Sequence, residues 1–571
     1  MTESSSSRPN IVLILVDDMG FSDLGSFGAE IRTPHLDALA AEGVRLTDFH
    51  SASACSPTRA MLLTGVDHHI AGLGSMVEVL RPGFKTVPGY EGYLNDQVVS
   101  IAELLRDAGY RTLMSGKWHL GHEIERAPHA RGFERSFALL PGGADHFGGG
   151  PLDRLSGNAP IYAEDDQWVT DLPEAFYSSD YFTTRLIDFL DEGETAGDKR
   201  PFFAYLAYSA PHFPLQAPDE DIARYRGVYD DGPDALREKR LGRLKALGLV
   251  AEDTTIHPVV TDAPQWAELS DEERAASART MEIYAGMIDR IDQNVGRVVE
   301  QLKRSGRYED TLIIFLSDNG AEGAIVEAMP IMGPVMAQLI RDHCDNSYDN
   351  LGRPSSYIWY GPRWAQASTA PSRLTKTYTT EGGIRVPAII RAPGGKRRGD
   401  ISHAFSTVKD IVPTLLELAG TSHPGKSYNG RAIVEVSGQS AVAWLDGATD
   451  EIHGPGATTG WELFGRRAIR KGDWKAVYVP DLENRSQWQL YDLSRDRGEV
   501  NDLTEAHPEK LTELLTLWEQ YKQENGVLDE ALSLFDADPA TFEAGWPAYP
   551  RGIEDADDES AVQTDHLTET G

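Results

Sequence analysis

Two cysteines, Cys55 and Cys344, are all that the 571 residues contain. A disulfide framework needs more, and so low a thiol count fits a reducing compartment. Long apolar runs are missing as well. The longest candidates, Ile11–Val16 and Leu312–Leu316, have the length of strands and fall far short of the ~18 residues of a membrane span. Basic charge is scarce: 54 Lys and Arg face 89 Asp and Glu, a formal net charge of -35. Such a surface repels phosphate backbones and anionic lipid, which argues against nucleic acid or membrane as partner. The first residues, Met-Thr-Glu and then Ser4 to Ser7, carry neither the basic nor the apolar stretch of a secretory leader, so the expected location is cytoplasmic.

What is present is an α/β pattern. Asn10 to Val16 is a continuous β-branched run, the pattern of a strand covered on both faces, and it ends in Asp17-Asp18. Thr33-Pro34 opens a helix that Gly43 closes, and Val44–Phe49 reads as a strand. The rhythm recurs from Ser100, where Ser100 and Glu103 predict a capping box, to a strand at Tyr110–Met114 that leads into Gly116-Lys-Trp-His119. Phe202–Tyr208 runs into Ser209-Ala-Pro-His212. Thr311–Leu316 runs into Ser317-Asp-Asn-Gly320. Between them, Ser270 to Arg304 predicts a long capped helix whose Met281, Tyr284, Ile288, Ile291, Val295, Val298 and Leu302 form a core stripe. A strand near Val386–Arg391 and a helix at Asp410–Ala419 close the rhythm. Gly420–Gly430 has linker composition, and Trp474–Val479 and Trp488–Tyr491 predict a small antiparallel module. The expected division is residues 1–428, 429–549, and an acidic tail from 550 to 571 that cannot bury a core.

In open α/β sheets ligands bind beyond the carboxyl ends of the strands, so Asp17-Asp18, Lys117, His119, His212 and Asp318-Asn319 are expected at one rim. Three carboxylates and an amide make a hard oxygen set suited to Ca²⁺ or Mg²⁺, without the imidazole or thiolate that zinc prefers. Spacing alone leaves Lys376 a surface residue. His68 and His69 read as polar groups of a loop that follows a helix, and Cys344 as a buried thiol.

The segment Ser53-Ala-Cys55-Ser-Pro57-Thr-Arg59 followed by Leu-Leu-Thr64-Gly65 resembles the signature of type I sulfatases, in which that cysteine becomes formylglycine. Pro9-Asn10, Ala210-Pro-His212, Lys376 and Glu381-Gly-Gly-Ile-Arg-Val-Pro387 agree in order and spacing. Bacterial cytosolic arylsulfatases resemble the chain most closely. The resemblance implies an alkaline-phosphatase-like mixed sheet flanked by helices, with a smaller C-terminal α+β domain on an antiparallel sheet. It implies one Ca²⁺, with Mg²⁺ as the alternative, held by Asp17, Asp18, Asp318 and Asn319. Lys117 and Lys376 would bind sulfate, His119 and His212 would move protons, and Arg59 would act on substrate or hold the nucleophile turn. Cys55 would be converted to 3-oxoalanine by a formylglycine-generating enzyme. Its hydrate would attack sulfur with one hydroxyl and expel sulfate through the other, and the substrate would be a small sulfate monoester. Related phosphonate monoester and phosphodiester hydrolases tend to have His where this chain has Asn319, which favours the sulfatase reading. A calcium-binding protein without catalysis is disfavoured because every reactive position is filled.

Overall fold

The computed structural model describes residues 8–80, 84–152, 161–324, 333–480 and 487–528. The expected acidic tail from Pro550 lies outside them. Ten strands form the main sheet. They are β1 (Asn10–Val16), β2 (Val44–Leu46), β4 (Arg111–Lys117), β5 (Arg135–Leu139), β6 (Tyr162–Glu164), β7 (Gln167–Val169), β8 (Phe202–Ala207), β9 (Thr311–Ser317), β10 (Ala388–Arg391) and β11 (Asp400–Ser402). The order across the sheet is β11-β2-β10-β9-β1-β8-β4-β5-β6-β7. β1 runs parallel to both β8 and β9, and β4 parallel to both β8 and β5. β10 is antiparallel to its two neighbours, and β6 and β7 finish the other edge antiparallel, so the sheet is mixed. A short pair, β3 (Phe49–His50) with β12 (Ser406–Thr407), and a hairpin of β13 (Ser427–Tyr428) and β14 (Arg431–Ala432) stand apart.

The even-odd alternation of β1 explains the layering. Val12, Ile14 and Val16 pack in one core with the Ser178–Thr195 and Asp271–Arg304 helices; Ile11, Leu13 and Leu15 pack in the other with Leu62, Leu105 and Leu415. The stripe read on the long helix lies in the first core throughout. Its N-cap Ser270 accepts from the Glu273 amide and Glu273 accepts from the Ser270 amide, the predicted capping box. The same box closes at Ser100 and Glu103.

Beyond the main sheet, β15 (Thr458–Leu463), β16 (Arg466–Lys471), β17 (Trp474–Tyr478) and β18 (Trp488–Asp492) form an antiparallel sheet covered on one side by the Pro508–Asn525 helix. Its other side packs on Ile384. Three details depart from the sequence reading. The strand expected at Tyr110–Met114 continues to Lys117, which puts Lys117 on the strand itself. The Gly420–Gly430 stretch is no free linker, because it enters the β13–β14 hairpin and Tyr428 donates to Asp107 Oδ2 at 2.7 Å. Cys344 is half-buried and not enclosed. Among the described residues no helix is long and apolar enough to cross a membrane.

Candidate active site

The carboxyl ends of β1, β4 and β9 bring most of the expected residues to one buried rim. Asp17 and Asp18 follow β1, Lys117 is the last residue of β4, and Asp318-Asn319 follow β9. His212 stands in the loop after β8. Cys55 is the first residue of a helix, Cys55–Thr64, that is buried along its whole length. Its amino end favours negative charge at residue 55. Gly65 ends this helix in a left-handed turn (φ 70°) with its N–H on Met61 O, the conformation that calls for glycine there.

A chain of ion pairs joins these elements. Arg59 donates to Asp318 Oδ2 from Nε (3.1 Å) and Nη2 (2.8 Å), and from Nη1 to the Lys117 carbonyl (2.8 Å). Lys117 Nζ donates to Asp17 Oδ2 at 2.5 Å. Lys376 Nζ lies 2.8 Å from Asp18 Oδ1, and 3.2 Å from Glu322 Oε2. Lys376 is therefore no surface residue, and a buried ammonium there is explained by two carboxylates that spacing did not connect to it. Asn319 Nδ2 donates to Asp18 Oδ1 at 2.6 Å, and His212 Nε2 is 3.7 Å from Asp18 Oδ2. Arg59 thus ties the Cys55–Thr64 helix to β4 and β9, and its removal would strand Asp318 without its strongest partner.

Burial pushes Asp18 up to about 8 against the pull of Lys376, with Asp17, Glu322 and Asp318 adding to the rise. Burial and Asp17 push Asp318 up to about 6, against Arg59 and the two lysines. Asp17 is also raised by burial, yet Lys117, His212, Arg59 and Lys376 outweigh it and hold the group well below the usual range. Burial foremost, then Asp17, lifts the Cys55 thiol well above its ordinary value, so as a thiol it is a poor nucleophile. Burial and then Lys376 push His212 well down.

The residues present fit a hard divalent cation. Asp17 Oδ1 and Asn319 Oδ1 are buried and accept no hydrogen bond. One atom each from Asp17, Asp18, Cys55 and Asp318 lies within 4.8 Å of the others. Three carboxylates and the Asn319 amide oxygen suit Ca²⁺ or Mg²⁺, with the His212 imidazole close to Asp17 and Cys55 as well, and a cation among them would relieve the carboxylate repulsion that adds to burial in raising Asp18 and Asp318.

Further partners had no signal in the sequence. His119, in left-handed backbone (φ 58°), sends its Nε2 to Glu78 Oε1 at 2.9 Å. A side chain as large as imidazole rarely holds that conformation, which costs about 1–2 kcal/mol and is kept where the surroundings fix it. His146 Nε2 is 2.9 Å from the His212 carbonyl, which holds the His212 loop. Gly320 is required by close approach, since a Cβ there would lie 1.8 Å from Gly382 O; this contact seats the Asp318-Asn319 loop on the segment that carries Lys376. That segment is braced by the C-terminal sheet: Arg373 donates to Gln489 Oε1 (2.6 Å) and Tyr491 Oη (3.2 Å), and Arg466 donates to Thr377 O (3.1 Å). Lys475 Nζ donates to Glu381 Oε1 and Glu499 Oε1, each at 2.8 Å and fully buried. Leu463 and Phe464, from the β15–β16 turn, pack over Ala54, the neighbour of Cys55.

His68 and His69 do not lie in a loop, contrary to the sequence reading. Both are buried in a short helix, His68–Ala71, and His69 bridges Asp67 Oδ1 and Glu462 Oε2 at 2.9 Å each.

Comparison with known proteins gives this geometry a context. The Sulfatase family profile matches residues 9–421, and that of the N-sulphoglucosamine sulphohydrolase C-terminal region matches 373–524. An uncharacterized sulfatase of Schizosaccharomyces pombe is 50% identical over 92% of this chain and 95% of its own. An arylsulfatase of Klebsiella aerogenes is 39% identical over 76% of this chain and 92% of its own. Among solved structures, Ps i-CgsB in complex with k-i-k-neocarrahexaose superposes with a TM-score of 0.63 at 24% identity, covering 94% of this chain and 97% of that one, which shows the shared fold.

Proposed function

The chain belongs to the sulfatase family, and we propose that it hydrolyses aryl sulfate monoesters to a phenol and sulfate, using residue 55 as a formylglycine. One observation carries this reading: Cys55 opens a buried helix within reach of three carboxylates, with Lys117, Lys376 and Arg59 among them. Asp17, Asp18, Asp318 and Asn319 would hold one Ca²⁺ or Mg²⁺. When bound, the cation supplies positive charge to the sulfuryl oxygens, and the hydrated aldehyde supplies a nucleophilic hydroxyl with a second beside it.

The chain's own residues supply the rest. Lys117 and Lys376 turn their ammonium groups toward the sulfate oxygens, and Arg59 fixes Asp318 close to residue 55. His212 is the candidate proton donor to the departing oxygen. Its side chain keeps 13% exposure and its Nδ1 is committed to Phe213 O at 2.6 Å, which leaves Nε2 for substrate. Burial and Lys376 hold it neutral; an anionic sulfate beside it would favour its charged form again. His119 is the candidate acceptor of the proton lost when sulfate leaves. Half-buried Phe213 stacks on His212 (4.4 Å between rings), and Tyr357 meets Phe213 edge-on at 6.3 Å, an aromatic flank suited to a phenolic leaving group. Maturation by a formylglycine-generating enzyme and a cytoplasmic location complete the proposal.

The test is a hydrolysis screen of aryl, alkyl and sugar sulfates beside phosphate mono- and diesters, coupled to peptide mass analysis of residue 55. Aryl sulfates should be turned over best, with the residue about 18 Da lighter than encoded cysteine. Full activity with an intact Cys55 thiol, or a preference for phosphodiesters, would overturn the reading.

A further inference from the structure

Glu78 takes no part in the ion-pair chain around residue 55, and no motif marks it. It sits in a single 3₁₀ turn, Val77–Val79. Its Oε1 lies 2.9 Å from His119 Nε2, while the His119 side chain is 1% exposed and the Glu78 side chain 29%. His119 Nδ1 is buried and makes no hydrogen bond within the protein. Gly142 closes over the pair: a Cβ there would stand 2.7 Å from His119 Cε1, 2.8 Å from Nε2 and 3.0 Å from Glu78 Oε1. The imidazole is therefore pinned by its left-handed backbone, by the roof at Gly142 and by one carboxylate.

We propose that Glu78 is a positioning residue that fixes His119 in the tautomer with hydrogen on Nε2, leaving the Nδ1 lone pair as the base of the reaction. An ionised carboxylate can only accept, so a neutral imidazole facing it must place its hydrogen on the nearer nitrogen. Burial and the neighbouring cations outweigh Glu78 and favour the neutral ring. Burial above all, then Lys117 and His122, pulls His119 down to about 4 against the opposing effect of Glu78, so the ring is neutral near pH 7. His119 and His122 hold Glu78 below the usual carboxylate range although burial opposes them. His122 itself lies 3.8 Å from Glu78 Oε1 and faces Lys85 and Glu123. The proposal rests on the role given to His119 above, as the group that accepts the proton when sulfate departs.

Two readouts test it. In protein labelled with ¹⁵N-histidine, with residue 55 unconverted, the His119 resonances should report an unprotonated Nδ1 and a protonated Nε2. Glu78→Ala should turn this into a tautomer mixture, and Glu78→Gln, whose amide oxygen still accepts, should largely retain the native form. In matured enzyme, Glu78→Ala should lower kcat by about 10–100-fold with KM nearly unchanged, and leave sulfate on the peptide carrying residue 55 after brief exposure to substrate. The acid limb of its pH profile should move to lower pH, because the carboxylate that favoured the imidazolium is gone. Gln should recover most of kcat. An unchanged tautomer in Glu78→Ala, or wild-type turnover with no retained sulfate, overturns the proposal. If wild-type enzyme fails on every sulfate ester, the functional reading fails instead, and the tautomer measurement still decides whether Glu78 sets the state of His119.

Discussion

Replacing Lys475 by Met should destabilise the protein more at high pH than at low pH. Lys475 Nζ sits between Glu381 and Glu499, all three without solvent exposure. In the native cluster Glu381 is raised by burial but held well below the usual range by Lys475 and His50, while burial lifts Glu499 against the same lysine. Taking the ammonium away leaves two buried carboxylates facing each other, and breaking such a pair costs about 3–5 kcal/mol. Glu499, already raised, then titrates higher still in the fold, while Glu381 moves up with the loss of its largest opposing charge and keeps His50 at 3.0 Å. A group raised in this way favours the fold at low pH and loses that contribution as pH climbs through its folded value. The destabilisation should therefore be largest at pH 8 and smaller at pH 5, each protonated carboxyl returning up to about 1.4 kcal/mol per pH unit between its two pKa values. Urea unfolding followed by circular dichroism is the assay; with a slope of about 3 kcal/mol/M the pH 8 midpoint should fall by roughly 1–1.7 M. Adding Glu499→Gln to Lys475→Met should restore part of the loss at pH 8 and little at pH 5. Equal midpoint losses at both pH values would refute the reasoning, as would a Lys475→Met protein as stable as the parent.

Two further outcomes follow from the site. Asp318→Ala removes a cation ligand and the partner of Arg59, so it should abolish both divalent metal retention, read by elemental analysis, and turnover; two zinc ions per chain in the parent protein would contradict the oxygen-donor assignment. His212→Ala should lose most activity on alkyl sulfates and least on activated aryl sulfates, whose phenolate leaves without a proton, and a loss independent of leaving-group pKa would remove His212 from that role.

The central strands were legible because each is a short, largely apolar run leading into polar residues, and that local pattern survives without knowledge of the partner strand. The same feature put Asp17-Asp18, Lys117 and Asp318-Asn319 at one rim. Lys376 was legible only through the family resemblance, since its burial depends on Asp18 and Glu322, and Asp18 is 358 residues away. Glu78 gave no sign at all: a carboxylate in a 3₁₀ turn looks like any solvated acid until His119 is folded against it. Likewise His69 met Glu462 across 393 residues, a pairing no local periodicity encodes. Period and punctuation in a sequence report an element's own faces, and electrostatic partners brought together by topology leave no such trace.

The roof over the turn that carries Cys55 comes late. Trp461 Nε1 donates to the Ser51 carbonyl at 2.9 Å across 410 residues, and Leu463 and Phe464 close over Ala54. At ribosomal speeds of about 5–20 residues per second, roughly 20–80 s pass between the emergence of the cysteine turn and that of the hairpin that seals it. On the proposed maturation of Cys55, an enzyme that had to grip the turn would have that interval in which it cannot yet be capped. Once the hairpin docks, the thiol is shut behind its own chain. If Cys55 is matured as proposed, a race during synthesis would decide whether a molecule ends as a catalyst or as an inert copy with the same fold, and conditions that slow translation, or that destabilise the docking of the C-terminal sheet, should raise the converted fraction without altering a single residue of the site.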